Sequence, residues 1–123
     1  MTADPCDVVI VEDEFFIAEY LRDVCEGHGY RVGGIAATAE DAVALARSLR
    51  PRLVLMDVTL SGAKDGVDAA MEIHGTLGTP VVFITGSDEP RNLDRIHTDH
   101  PAALLIKPVA PATLVKVLRE QLG

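Results

Sequence analysis

Four short apolar runs, each ending on a residue that can do chemistry, constrain this chain more than any other feature. VVIV (residues 8–11) ends at Glu12-Asp13, LVLM (53–56) at Asp57, VVFI (81–84) at Thr85, and ALLI (103–106) at Lys107-Pro108. Runs rich in β-branched residues and leucine, without polar alternation, read as strands covered on both faces, as in parallel sheets. Strands that run parallel as neighbours finish along one edge, and open α/β sheets bind ligands beyond that edge. Three carboxylates, a hydroxyl and an ammonium would then share one crevice.

The segments between the runs carry helical spacing, so strand and helix alternate throughout, the pattern of βα units on a parallel sheet. Phe16, Ile17, Tyr20, Leu21, Val24 and Cys25 mark a first helix that Gly27 and Gly29 close. Val32–Ala37 reads as a second strand. Thr38, with Asp41 three residues on, starts a second helix with Ala42, Leu45, Ala46 and Leu49 as its buried stripe, and Pro51 stops it. The loop Thr59–Gly66 leads to a third helix carrying Val67, Ala70, Met71 and Ile73. Ser87–His100 has the sparsest stripe, Leu93 and Ile96, behind a Ser87 or Asp88 cap and Pro90. Few buried contacts mean low local stability, so this segment is expected to be the most mobile and the most responsive to a signal. Pro111 opens a last helix with Leu114, Val115, Leu118 and Leu122 inward. Five strands and five helices use the chain as one domain, residues 1–123.

With 11 basic and 19 acidic residues the formal charge is −8, which argues against direct nucleic-acid binding. No apolar run approaches a membrane span and MTADPCD lacks the blocks of a signal peptide, so the expected location is the cytoplasm. Cys6 and Cys25 have no metal spacing and are expected to be reduced and structural. The four histidines show no motif.

A carboxylate can attack phosphorus only if two anions are first brought together. A divalent cation on oxygen ligands solves this, and Mg²⁺ suits a site that offers few protein ligands. Glu12, Asp13 and Asp57 are the candidate metal ligands. Lys107 supplies a fixed positive charge for phosphoryl oxygens, Thr85 a hydroxyl that can donate to one, and Gly86 an open approach. Phe83 reads as core, and Phe15-Phe16 as half core and half exposed.

The segments VVIVEDE, LVLMDVTLSGAKDG, VVFITG and LLIKPV together resemble the receiver domain of two-component response regulators, over the whole chain. The resemblance implies a flavodoxin-like (βα)5 fold, a single doubly wound domain with a five-stranded parallel sheet in the order 2-1-3-4-5. It makes Asp57 the phospho-acceptor, fed by a phosphohistidine on a sensor histidine kinase or phosphotransfer protein. It adds the backbone carbonyl of Thr59 to the Mg²⁺ ligands, makes Thr85 and Lys107 the switch hydroxyl and phosphate-binding lysine, and implies a cis Lys107-Pro108 bond. Such a domain is not an enzyme acting on other molecules; it catalyses only its own phosphorylation and dephosphorylation. Its output, if the chain ends at Gly123, is control of a protein partner through the surface of residues 86–123, with a phosphorylation-dependent homodimer as a further candidate.

Two departures from the family stand out. Leu104 occupies the strand-five position that usually holds a Tyr or Phe, and PVVFITGS matches only in part a subgroup with a Phe-Ala-Thr-Gly-Tyr-like signature. Three other readings are weaker. A haloacid-dehalogenase-like phosphatase needs a second aspartate where Thr59 stands. A flavodoxin-like flavin binder needs a Ser/Thr/Gly-rich first loop, and EDEFF would repel a phosphate. A receiver that no longer takes phosphate would not need the full residue set.

Overall fold

In the computed structural model, residues 6–60, 64–86 and 101–123 are described. The expected strands form: β1 (Val8–Val11), β2 (Val32–Ala36), β3 (Leu53–Asp57), β4 (Val81–Thr85) and β5 (Ala103–Ile106). Among the described residues four helices accompany them: α1 (Phe15–Gly27), α2 (Ala39–Leu49), α3 (Gly66–Leu77) and α4 (Pro111–Leu122). The expected helix over Ser87–His100, with Leu93 and Ile96, and the loop residue Gly62 lie outside the described residues.

All strand pairs are parallel and the order is β2-β1-β3-β4-β5, as the family resemblance implied. Successive side chains of a strand point to opposite faces, and here each face has its own core. Val9, Val11, Val54, Met56, Val81 and Phe83 meet α2 and α3. Val8, Ile10, Leu53, Leu55, Val82 and Ile84 meet α1 and α4. Burial on both faces is why VVIV, LVLM and VVFI lack alternation. ALLI departs from that expectation, since β5 is the edge strand and is only partly covered, with Ile106 54% exposed.

Helix ends follow local chemistry. Thr38 caps α2, its side chain accepting the Asp41 N–H at 3.1 Å. Asp65 caps α3 in a reciprocal capping box with Asp68. Gly78, in the left-handed region at φ 70°, ends α3. Cys6 and Cys25 are buried, free thiols, and burial, with a smaller contribution from Glu26, pushes the Cys25 thiol up to about 12.

Three expectations about side chains need correction. Phe15 and Phe16 are both exposed, at 69% and 84%, and pack edge-to-face on each other at 5.5 Å. Their turn stands at the C-terminal edge of the sheet, and the buried face of α1 is set by Ala18, Leu21 and Cys25. Tyr20, one of the apolar residues whose spacing marks the first helix, is exposed for the same reason. Met71 is 48% exposed, while Ala69 is buried in its place.

Candidate functional site

β1 and β3 are neighbours in the sheet although β2 separates them in the chain, and this crossover opens a crevice beyond their C-terminal ends. Glu12 and Asp13 leave β1 there, and Asp57 is the last residue of β3. One carboxylate oxygen from each of the three lies within 4.8 Å of the others. Glu12 is 2% exposed and Asp57 4%, whereas Asp13 faces solvent. Thr85 ends β4 and is buried at 1%. Lys107 follows β5, its N–H donating to the Thr85 carbonyl at 2.8 Å. The next peptide bond, Lys107-Pro108, is cis.

The Lys107 ammonium stands 3.0 Å from Glu12 Oε2 and donates to Asp57 Oδ2 at 3.3 Å. The other Asp57 oxygen accepts the Thr59 N–H at 3.1 Å, and Glu12 Oε1 accepts the Glu14 N–H at 3.1 Å. Glu12 Oε2 is buried and, despite its charge contact with Lys107, lacks a partner with hydrogen-bond geometry. Burial raises the Glu12 pKa, with Asp57 adding to the rise and Lys107 and the Glu14 N–H opposing it. Burial would lower the Lys107 pKa, but Glu12 and Asp57 more than offset it, so the amine stays charged beyond its ordinary range.

Among the described residues three carboxylates face one ammonium, which leaves the crevice short of positive charge. An all-oxygen donor set with a buried oxygen in need of a partner fits a hard divalent cation, and Mg²⁺ needs only a few protein ligands. The described geometry thus brings Glu12, Asp13, Asp57 and Lys107 together, with Thr85 at the neighbouring strand end. Thr59 enters through its backbone N–H. A Cβ at Gly86 would make only ordinary contact with Lys107 Cδ, at 3.7 Å. The glycine that the site does need is Gly66. A Cβ there would overlap the Asp57 carbonyl oxygen and come within 2.8 Å of its carbon and 3.0 Å of Val58 Cα. The sequence marks Gly66 only as a loop glycine, because its role depends on where α3 docks. Leu104, paired in register with Phe83, packs against the core on the α2–α3 face, and Phe83 is fully buried.

The model of the response regulator receiver domain family matches residues 8–119. The phyllosphere-induced regulator PhyR of Methylorubrum extorquens is 37% identical over 117 residues, covering 94% of this chain and 43% of that protein. The transcriptional regulatory protein PdtaR of Mycobacterium tuberculosis is 34% identical over 116 residues, covering 94% of this chain and 56% of that protein. The chain therefore spans about half the length of these curated relatives. Among solved structures, the signal receiver domain of a modulated diguanylate cyclase from Desulfovibrio desulfuricans superposes with TM-score 0.90 at 37% identity, covering 96% of this chain and 94% of that one. A CheY-like receiver domain protein from Methanospirillum hungatei gives 0.86 at 26% identity, covering 95% and 93%. With the fold, the strand-end residues and the family model in agreement, this chain belongs to the response-regulator receiver family of two-component signalling.

Proposed function

We propose that this receiver is a phosphorylation-controlled module whose acceptor is Asp57. The observation that most supports the reading is the Asp57 carboxylate itself, nearly buried, with a backbone N–H on one oxygen and an ammonium on the other. Two further acids lie within reach of it. In the reaction a carboxylate oxygen of Asp57 bonds to phosphorus while the nitrogen–phosphorus bond of a phosphohistidine breaks. The imidazole nitrogen keeps the bonding pair and, because the other ring nitrogen of the donor carries a proton, the ring leaves as neutral imidazole. That donor is a sensor histidine kinase or a histidine phosphotransfer protein.

Glu12, Asp13 and Asp57, with the Thr59 carbonyl, would hold Mg²⁺, which when bound screens the carboxylates from the phosphoryl oxygens. Lys107 gives those oxygens a point positive charge. The Thr85 hydroxyl donates to one of them once the group is in place. The chain catalyses only its own phosphorylation and dephosphorylation, in the cytoplasm, and its altered surface over residues 86–123 acts on a protein partner or a second copy. One relative, PdtaR, is a transcriptional regulatory protein, but the −8 charge of this chain favours protein contact over direct nucleic-acid contact.

Incubation with a small phosphodonor and Mg²⁺ followed by intact-mass measurement tests the reading. Wild type should gain one acid-labile phosphoryl group, and omission of the cation or Asp57→Asn should abolish it. Equal labelling of Asp57→Asn would refute Asp57 as acceptor.

A further inference from the structure

Tyr20, on α1, donates its hydroxyl to the Val109 carbonyl at 2.7 Å, across 89 residues of sequence. Val109 is two residues beyond Lys107. The loop that carries both meets the core only through the half-buried Val109 side chain. It overhangs a groove of about 530 Å³ whose walls include Ile17, Tyr20, Leu21, Ile84 and Pro108. Pro108 and Ala110 are exposed, and Pro108 has no N–H with which to hold the loop. Among the described residues its directional ties are Lys107 N–H to the Thr85 carbonyl and the Lys107 ammonium to Glu12 and Asp57 at one end, and Tyr20 at Val109, beside the packing of the Val109 side chain.

α1 is a firm anchor, since Leu21 beside Tyr20 is buried against the sheet. The same helix begins just after Glu12-Asp13. One rigid element thus links the strand end that carries two acids to the loop that carries the cation. We infer that Tyr20 is a positioning residue: its hydroxyl fixes the 107–110 loop so that the Lys107 ammonium stays on Glu12 and Asp57, ready for the phosphoryl group. The inference rests on the reading of Asp57 as acceptor. The Tyr20 bond is open to solvent and competes with water, so its effect is graded. A single neutral hydrogen bond shifts an equilibrium by about two- to tenfold.

The test uses the full chain as wild type, Tyr20→Phe, Lys107→Ala and the double variant. Phenylalanine keeps the ring and removes only the hydroxyl. Tyr20→Phe should slow phosphodonor labelling about threefold or more, with Mg²⁺ titrating as in wild type, because the acids stand on β1 and β3. In the Lys107→Ala background the second change should have no further effect, there being no amine to place. Hydrogen exchange at Val109 and Ala110, measured before any phosphodonor is added, should be faster in Tyr20→Phe. A hydroxyl with a merely structural role would slow labelling by the same factor in both backgrounds, and that overturns the inference. So does unchanged exchange at Val109 and Ala110, which decides alone if Lys107→Ala takes no label. Wild type that takes no label removes the acceptor reading itself. Wild type that labels beside an unaffected Tyr20→Phe removes only the inference.

Discussion

Replacing Gly66 with alanine puts a methyl group where the backbone of the acceptor residue already is. The Asp57 carbonyl oxygen, its carbon at 2.8 Å and Val58 Cα at 3.0 Å are all main-chain atoms, so no side chain can rotate away. β3 is buried along its whole length, and Gly66 N–H is itself bonded to the Val58 carbonyl at 2.9 Å. Relief must come from moving α3 or bending the strand end. Overpacking of this kind costs about 1–3 kcal/mol, and the rigid obstacle places Gly66→Ala near the top of that range. The better helix propensity of alanine returns at most about 1 kcal/mol, leaving a net loss of about 2 kcal/mol. Gly75→Ala is the internal control, because it lies in the same helix and its Cβ would meet nothing within 4 Å. It should stabilise by about 0.5–1 kcal/mol. Urea unfolding of the two variants beside wild type reads both signs. Equal, near-zero effects, or stabilisation by Gly66→Ala, would refute the close approach of α3 to Asp57.

Asp13→Ala should weaken Mg²⁺ binding more than Glu12→Ala, since Glu12 is already shared with Lys107 and the Glu14 N–H; a cation titration with the reverse order contradicts this. Lys107→Ala should lower both labelling rate and conformational response, whereas Thr85→Ala should leave labelling largely intact and blunt the response; equal loss of labelling would make Thr85 part of the chemistry. Alkylation of Cys25 should require unfolding, because the thiol is buried and held up to about 12. A folded pKa above the ordinary 9.0 means that Cys25 contributes stability fully present below pH 9.0 and lost as pH rises towards about 12. Cys25→Ala should flatten that alkaline decline, and an unchanged slope in pH-dependent unfolding would contradict the assignment.

The parts of the fold written in local pattern were readable in the sequence. VVIV, LVLM and VVFI could be placed as doubly covered strands because alternation is absent, and Asp57, Thr85 and Lys107 could be placed at one edge because parallel strands end together. The strand order came from family resemblance, since apolar runs carry no information about which of them pair. Spacing alone also failed to place Phe15, Phe16, Tyr20 and Met71. A helix can carry more apolar residues than one face can bury, and the choice is made by the sheet beneath it. Gly66 and the Tyr20–Val109 bond belong to a different class. Each joins segments that only the packed fold brings together, and nothing in the neighbouring residues announces either one.

The charges of the crevice explain why its parts have to be read together. Among the described residues Lys107 is the cation that serves two nearly buried carboxylates, and Asp13 adds a third at the rim. Such a set is left with net negative charge, which favours a divalent cation and disfavours a bare phosphoryl anion. In the proposed reaction the phosphoryl group brings new negative charge onto Asp57, and Lys107 is the fixed cation that can answer it. Its ammonium must then be shared between Glu12 and the new oxygens. Lys107 is tied through its own N–H to Thr85 and stands two residues from Val109, which Tyr20 holds. Any shift of the lysine therefore reaches β4 and α1 through hydrogen bonds already in place. Leu104, packed in the core beside Phe83, offers no ring to carry it along β5. The same few contacts that hold the cation for the reaction are those through which its displacement would be felt.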